Sequence, residues 1–142
     1  PARILSDTNA GKKAKDNLAA FSKNRQTLIE LDEKELRRME EDFVKQATVL
    51  SPTAKREREE VFRRRMQEYQ QKVAELNREV QDKQKDVMDG FRDKLEAVVG
   101  KVAKRLGLQI VVDSSKGGAT LYREDTLDIS NQVIEEFNRD YP

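Results

Sequence analysis

Residues 62–80 read FRRRMQEYQQKVAELNREV, and this stretch decides the fold. Its apolar residues are Phe62, Met66, Tyr69, Val73, Leu76 and Val80, with Val87 beyond, at steps of 4, 3, 4, 3, 4 and 7. That is the a/d seam of a coiled coil, sustained over three to four heptads. A second helical pattern precedes it, and the only break between the two is Leu50-Ser51-Pro52-Thr53. Two long helices across so short a break predict an antiparallel hairpin. Such an arm is too thin to enclose an active site, which argues against an enzyme.

Working outward, Ser51 suits an N-cap and Pro52 the first helical position, where the missing N–H costs nothing. The residue before a proline is pushed out of the α region, so the first helix should end near Val49 or Leu50. It should begin near Asp7-Thr8-Asn9, and residues 1–7 have no clear pattern. Its stripe is Leu18, Phe21, Leu28, Ile29, Leu36, Met39, Phe43, Ala47 and Leu50, with a register shift where Asp32 and Glu35 reach it. The second helix should run from Pro52 to about Leu106 and stop at Gly107. At about 1.5 Å per residue this gives a helix on the order of 80 Å. Gly90 and Gly100 interrupt it, as soft points or as close-packing positions. There the stripe widens to Val87, Phe91, Leu95, Val98, Val102 and Leu106, which suits packing in a body better than a two-helix seam.

After Gly107 the period changes. Leu108 to Asp113 is apolar and β-branched around Ile110, Val111 and Val112, and reads as a strand. Ser114 to Gly118 reads as a turn, and Ala119 to Arg123, with Leu121 and Tyr122, as the returning strand. Asp128-Ile129-Ser130 should cap a short helix through Val133, Ile134 and Phe137. The fold class expected is α+β, mainly α: a long antiparallel helical hairpin attached to a small β body with a short C-terminal helix. A lone two-stranded hairpin is marginal in water, so the β part should assemble with other copies.

Composition fits long helices that bury one narrow stripe. Of 142 residues, 39% are charged, 36% hydrophobic and 6% aromatic. There is no Cys and no His, which excludes thiol chemistry, disulfides, Cys/His zinc sites and a His-based triad. No apolar run approaches the ~18–20 residues of a membrane span. The chain begins at Pro1 without Met, which reads as a processed or trimmed start. No catalytic residue, cofactor site or metal site is expected. The many carboxylates read as solvated or paired with Lys and Arg one turn away, and Gly117-Gly118 lacks the strand and helix of a phosphate loop.

Charge is unevenly placed although the net is only +1. Between Phe43 and Met66 stand Lys45, Lys55, Arg56, Arg58, Arg63, Arg64 and Arg65. Against these seven bases are three acids, Glu57, Glu59 and Glu60, a net of +4. From Glu30 to Asp42, seven acids face three bases, a net of −4. The plain reading is a solvated helix face. The functional reading is a basic hairpin tip that attracts acidic clients, an anionic lipid surface or lipopolysaccharide. Nucleic acid is disfavoured, because the aromatics lie on the seam and form no stacking platform. Phe62, Met66 and Tyr69 should pack against Leu36, Met39 and Phe43, leaving some apolar atoms uncovered near the tip.

The order of parts resembles the Skp/OmpH family of periplasmic chaperones. The matching pieces are Arg3-Ile4-Leu5, Ala10-Gly11-Lys12-Lys13-Ala14, Leu50-Ser51-Pro52, Gly107 to Asp113, Leu121-Tyr122, and Asp128-Ile129-Ser130 with Val133-Ile134. The resemblance implies a periplasmic homotrimer made from a precursor with a secretory signal. Residues 1–17 and 95–142 would form the body that trimerises, with Ile110, Val111, Val112, Leu121 and Tyr122 in it. Residues 18–94 would form the arm, with its tip at 50–53. Unfolded outer-membrane β-barrel proteins would be held between three arms without ATP. Family members usually carry a strand before the Arg-Ile-Leu segment, and this chain starts at Pro1, so that strand is expected to be missing. The rival readings are a coiled-coil scaffold that binds no client and a basic nucleic-acid binder. A prefoldin-like chaperone is disfavoured, because residues 50–53 leave no room for strands between the helices.

Overall fold

A computed structural model describes residues 1–114 and 120–142. Among the described residues four α-helices follow in order, α1 (Ala2–Asp7), α2 (Asn9–Gln46), α3 (Pro52–Leu106) and α4 (Ser130–Asp140), with a 3₁₀ turn at Asp125–Leu127 before α4. The chain divides into two compact units, residues 20–83 and residues 1–19 with 84–142.

In the first unit α2 and α3 run antiparallel. The cross-helix pairs set the register. Arg25 with Glu79, Asp32 with Lys72, and Gln46 with Arg58 each have residue numbers adding to 104, and Glu33 with Tyr69 to 102. That register sets Ile29 opposite Leu76 and Phe43 opposite Phe62, as the heptads require. Ile29, Leu36 and Leu76 are buried. The expected register shift is where the polar links cross: Lys72 Nζ lies 2.9 Å from Asp32 Oδ2, and the Tyr69 hydroxyl donates to Glu33 Oε1 at 2.7 Å.

The turn differs from expectation in one respect. α2 ends at Gln46, three to four residues early, and the Val49 and Leu50 N–H groups both donate to the Gln46 carbonyl at 3.1 Å. Thr48 and Val49 are β-branched and poor at holding a last helical turn. The start of α3 is as read: Ser51 Oγ accepts from the Ala54 N–H at 3.1 Å, and Pro52 is the first helical residue. α3 is continuous for 55 residues through Gly90 and Gly100. A Cβ at either glycine would meet nothing within 4 Å, so neither supports a close approach within the chain. α3 stops at Gly107, φ +69°, with Leu108 N–H donating to Ala103 O and Gly107 N–H to Lys104 O. This is a Schellman cap, which needs the left-handed conformation that glycine takes without steric cost.

In the second unit one core joins three helices: Ile4 of α1, Phe91, Val98 and Val102 of α3, and Val133 and Phe137 of α4. The Phe91 and Phe137 rings stack at 5.1 Å, and Tyr141 tilts against Phe137 at 5.3 Å. Residues 2–7, patternless in sequence, are helical because Ile4 reaches this core while Arg3 hydrogen-bonds Asn131 of α4. Thr8 is fully buried and joins α1 to α2. Its Oγ1 donates to Ile4 O at 2.7 Å and accepts from the Gly11 N–H at 3.1 Å, so it is the N-cap of α2.

The β body is not present. Among the described residues there is no strand, and the regular structure is all helical. Residues 108–113 are irregular, and so are residues 120–124. Residues 115–119, which hold the expected turn after Ser114 and the first residue of the returning strand, lie outside the described residues. The physical reason is visible in exposure: Ile110 is 79%, Val112 65%, Leu121 101% and Tyr122 82% exposed, and Val111 is also exposed. β-branched side chains favour strands only when a neighbouring strand and a buried face receive them, and these residues pack on neither.

Candidate functional site

A cleft of about 910 Å3 lies at the tip of the α2–α3 hairpin. Its floor is Met39 and Phe43 of α2 with Val61, Phe62 and Met66 of α3. Met39, Phe43, Phe62 and Met66 belong to the outer seam and, unlike Ile29, Leu36 and Leu76, are only half-buried, while Val61 beside them is exposed. Two helices cover a seam only where both present bulk on each side of it, and beyond Leu36 the seam side chains stay half-open, with Val44, Val49 and Val61 open. The rim is charged: Glu40 and Asp42 from α2, and Glu57, Arg58, Glu59 and Arg63 from α3.

The seven tip bases do not gather in one place. Arg58 and Arg63 line the cleft, and Arg58 hydrogen-bonds Gln46 across the turn. Arg65 lines a separate recess of about 180 Å3 with Asp32, Glu35, Glu68 and Lys72. Lys45, Arg56 and Arg64 are exposed and Lys55 half-buried, outside both concavities. Among the described residues none of the seven forms an ion pair, although Arg65 stands close enough to Glu35 to act on its carboxyl. Helix pairs at i,i+4 are fewer than composition suggests, with Arg3–Asp7, Arg38–Asp42 and Lys85–Asp89 closing among the described residues.

Local fields follow these contacts. Arg38 lies 2.6 Å from Glu35 and holds that carboxyl below its usual range. The hydrogen bond to Glu33 raises the Tyr69 phenol, since the proton that would leave is held by a carboxylate. No group of three or more potential metal ligands gathers among the described residues. No helix of the described residues is long and apolar enough to cross a membrane.

A second surface is apolar and open. Leu106, Leu108, Ile110, Val111 and Val112, followed by Leu121, Tyr122 and Leu127, are all exposed. This is a long run of uncovered large side chains for one chain, and such patches mark contact surfaces.

Sequence reading missed one cluster, at α4. Glu136 is only 2% exposed yet charged. Lys101 Nζ approaches it to 2.6 Å, Arg139 Nη1 to 2.8 Å and Arg105 Nη1 to 2.9 Å. Hydrogen bonds from Lys101 and then Arg105 hold its carboxyl at about 2, against an ordinary 4.5. Lys101 also contacts Asp140 at 2.9 Å. Arg139 is one turn from Glu136, a spacing the sequence contains, but nothing local announces that Glu136 faces inward.

No curated protein matches the chain closely. The family profile for outer membrane protein (OmpH-like) matches residues 1–137, which include α1, α2, α3, most of α4 and all of the segments quoted for the resemblance. A helical hairpin with that end-to-end match identifies the chain as a member of the OmpH-like family.

Proposed function

We propose that this protein is an ATP-independent holdase chaperone that keeps unfolded outer-membrane β-barrel proteins from aggregating in the periplasm. The observation that carries this reading is the OmpH-like family match over residues 1–137. The chaperone activity that goes with that family needs no reaction chemistry. It needs weak, adaptable apolar contacts and a field that draws clients in. The half-buried Met39, Phe43, Phe62 and Met66 supply the first. The unpaired tip bases supply the second for acidic clients, and the same charge suits lipopolysaccharide or an anionic lipid surface.

Three copies would assemble through residues 1–17 and 95–142, using the exposed Ile110, Val111, Val112, Leu121 and Tyr122, and residues 18–94 would serve as the arm of each copy. Covering these side chains removes their apolar area from water at about 25 cal/mol per Å2. Enclosure by several arms then multiplies weak contacts through effective concentration. The test is light scattering on a sizing column, with and without an outer-membrane β-barrel protein diluted from urea. A trimer that co-elutes with soluble client is the expected result. A trimer beside precipitated client would make the chain a scaffold instead.

A further inference from the structure

The tip as a whole is basic, but the cleft inside it is not. Of the charged residues that line it, Glu40, Asp42, Glu57 and Glu59 are acidic, and only Arg58 and Arg63 are basic. Arg58 is already engaged by Gln46, and Asp42 by Arg38 at 3.4 Å. Among the described residues Glu40, Glu57 and Glu59 make no ion pair. The cleft therefore joins an apolar floor of Met39, Phe43, Phe62 and Met66 to a charged lining in which acids outnumber bases four to two, the reverse of the tip around it. Its size falls within the ~300–1,000 Å3 of sites that take small ligands or short peptide segments.

We propose that this cleft, inside a single hairpin, takes one short unfolded segment in which an aromatic or aliphatic side chain is flanked by Lys or Arg. The identity of that segment as part of a chaperone client rests on the function proposed above. The apolar side chain enters between α2 and α3 and completes the coverage that the outer seam lacks. The flanking cations meet Glu40 on one wall and Glu57 and Glu59 on the other. A segment flanked by carboxylates is repelled by the same three groups, close to a surface of low dielectric. The division of labour is spatial. Bases outside the cleft attract acidic chains at long range, while the cleft selects basic-flanked apolar segments at contact. The thioethers of Met39 and Met66 allow differing side chains to fit.

The chain has no Trp, so the emission of a Trp-bearing probe reports only the probe. The probes are acetyl-Lys-Trp-Leu-Lys-amide and acetyl-Glu-Trp-Leu-Glu-amide. The Lys peptide should bind with blue-shifted emission, and the Glu peptide about ten-fold more weakly, a gap that salt narrows. Combined Glu40→Gln, Glu57→Gln and Glu59→Gln should level the two. Val61→Arg, at a position 46% exposed and so tolerant of a longer side chain, should abolish binding of the Lys peptide with the helical circular dichroism unchanged. Equal binding of both peptides, or Lys-peptide binding that survives Val61→Arg, overturns the proposal. So does a fall in apo mass in Val61→Arg, since a second copy would then be the occupant. The client experiment separates the two ideas. If the client stays soluble while neither peptide binds, the cleft proposal falls and the chaperone reading stands. If the Lys peptide binds selectively while the client precipitates, the cleft stands and the chaperone reading falls.

Discussion

Gly11 packs directly against the carbonyl of Leu5. A Cβ at residue 11 would overlap that oxygen, 2.7 Å from the carbonyl carbon and 2.9 Å from Thr8 Oγ1. The neighbour is backbone of α1, which cannot rotate away. The Thr8 hydroxyl beside it is committed to both the end of α1 and the start of α2.

Gly11→Ala is therefore expected to push α1 off the core that Ile4 joins. Overpacking of this kind costs about 1–3 kcal/mol. Urea unfolding followed by circular dichroism should show the loss, and limited proteolysis should begin in residues 1–8. Lys12→Ala, one residue on and exposed, should leave both unchanged.

Glu136 makes stability depend on acid. Its carboxyl is lowered from 4.5 to about 2 when folded, so the folded state holds the anion more strongly than the unfolded chain does. The stabilisation is complete above about pH 4.5 and drains away as pH falls toward 2. Melting temperature should fall across that window. Glu136→Gln should melt lower at pH 7, because Lys101, Arg105 and Arg139 lose their shared anion, and its melting temperature should vary less between pH 4.5 and 2. An unchanged acid profile in the variant would remove Glu136 as the source.

Gly90→Ala and Gly100→Ala should stabilise α3. The added methyl meets nothing within 4 Å at either site, and replacing glycine in a helix interior contributes about 1 kcal/mol each. The urea midpoint should rise without a change in slope. If the glycines also lend the arm its bending, the double variant should hold a narrower range of client sizes; an unchanged range ends that idea.

Reversing Arg56, Arg64 and Arg65 to Glu should slow capture of an acidic client on the order of ten-fold at low ionic strength, with little effect at high salt. Stopped-flow mixing with a labelled client measures this. All three are exposed and make no ion pair, so reversal of Arg56 and Arg64 should change thermal stability little, whereas Glu at 65 meets Asp32, Glu35 and Glu68 and should lower it slightly.

The local signals in this chain were sufficient for α3, for the start of α2 and for the existence of α4, but not for α1 or the end of α2. The heptad from Phe62 to Val80, the cap at Ser51-Pro52 and the stop at Gly107 each act within one or two turns, so each can be read without knowing what lies across from it. The segments that carry the family resemblance are likewise a matter of order along the chain. Tertiary structure decided the rest. Asn9 N–H meets Asn138 Oδ1 at 2.8 Å over 129 positions, and the helicity of residues 2–7 depends on such distant partners. Glu136 resembles any other surface glutamate until the turns of α3 bring Lys101 and Arg105 to it. The acidic lining of the cleft follows from which tip charges face one another, and a net charge along the sequence cannot show that. Ile110 to Val112 have strand-forming side chains but no strand beside them, because β propensity is realised only against a neighbouring strand and a buried face, whereas a helix closes its hydrogen bonds within itself.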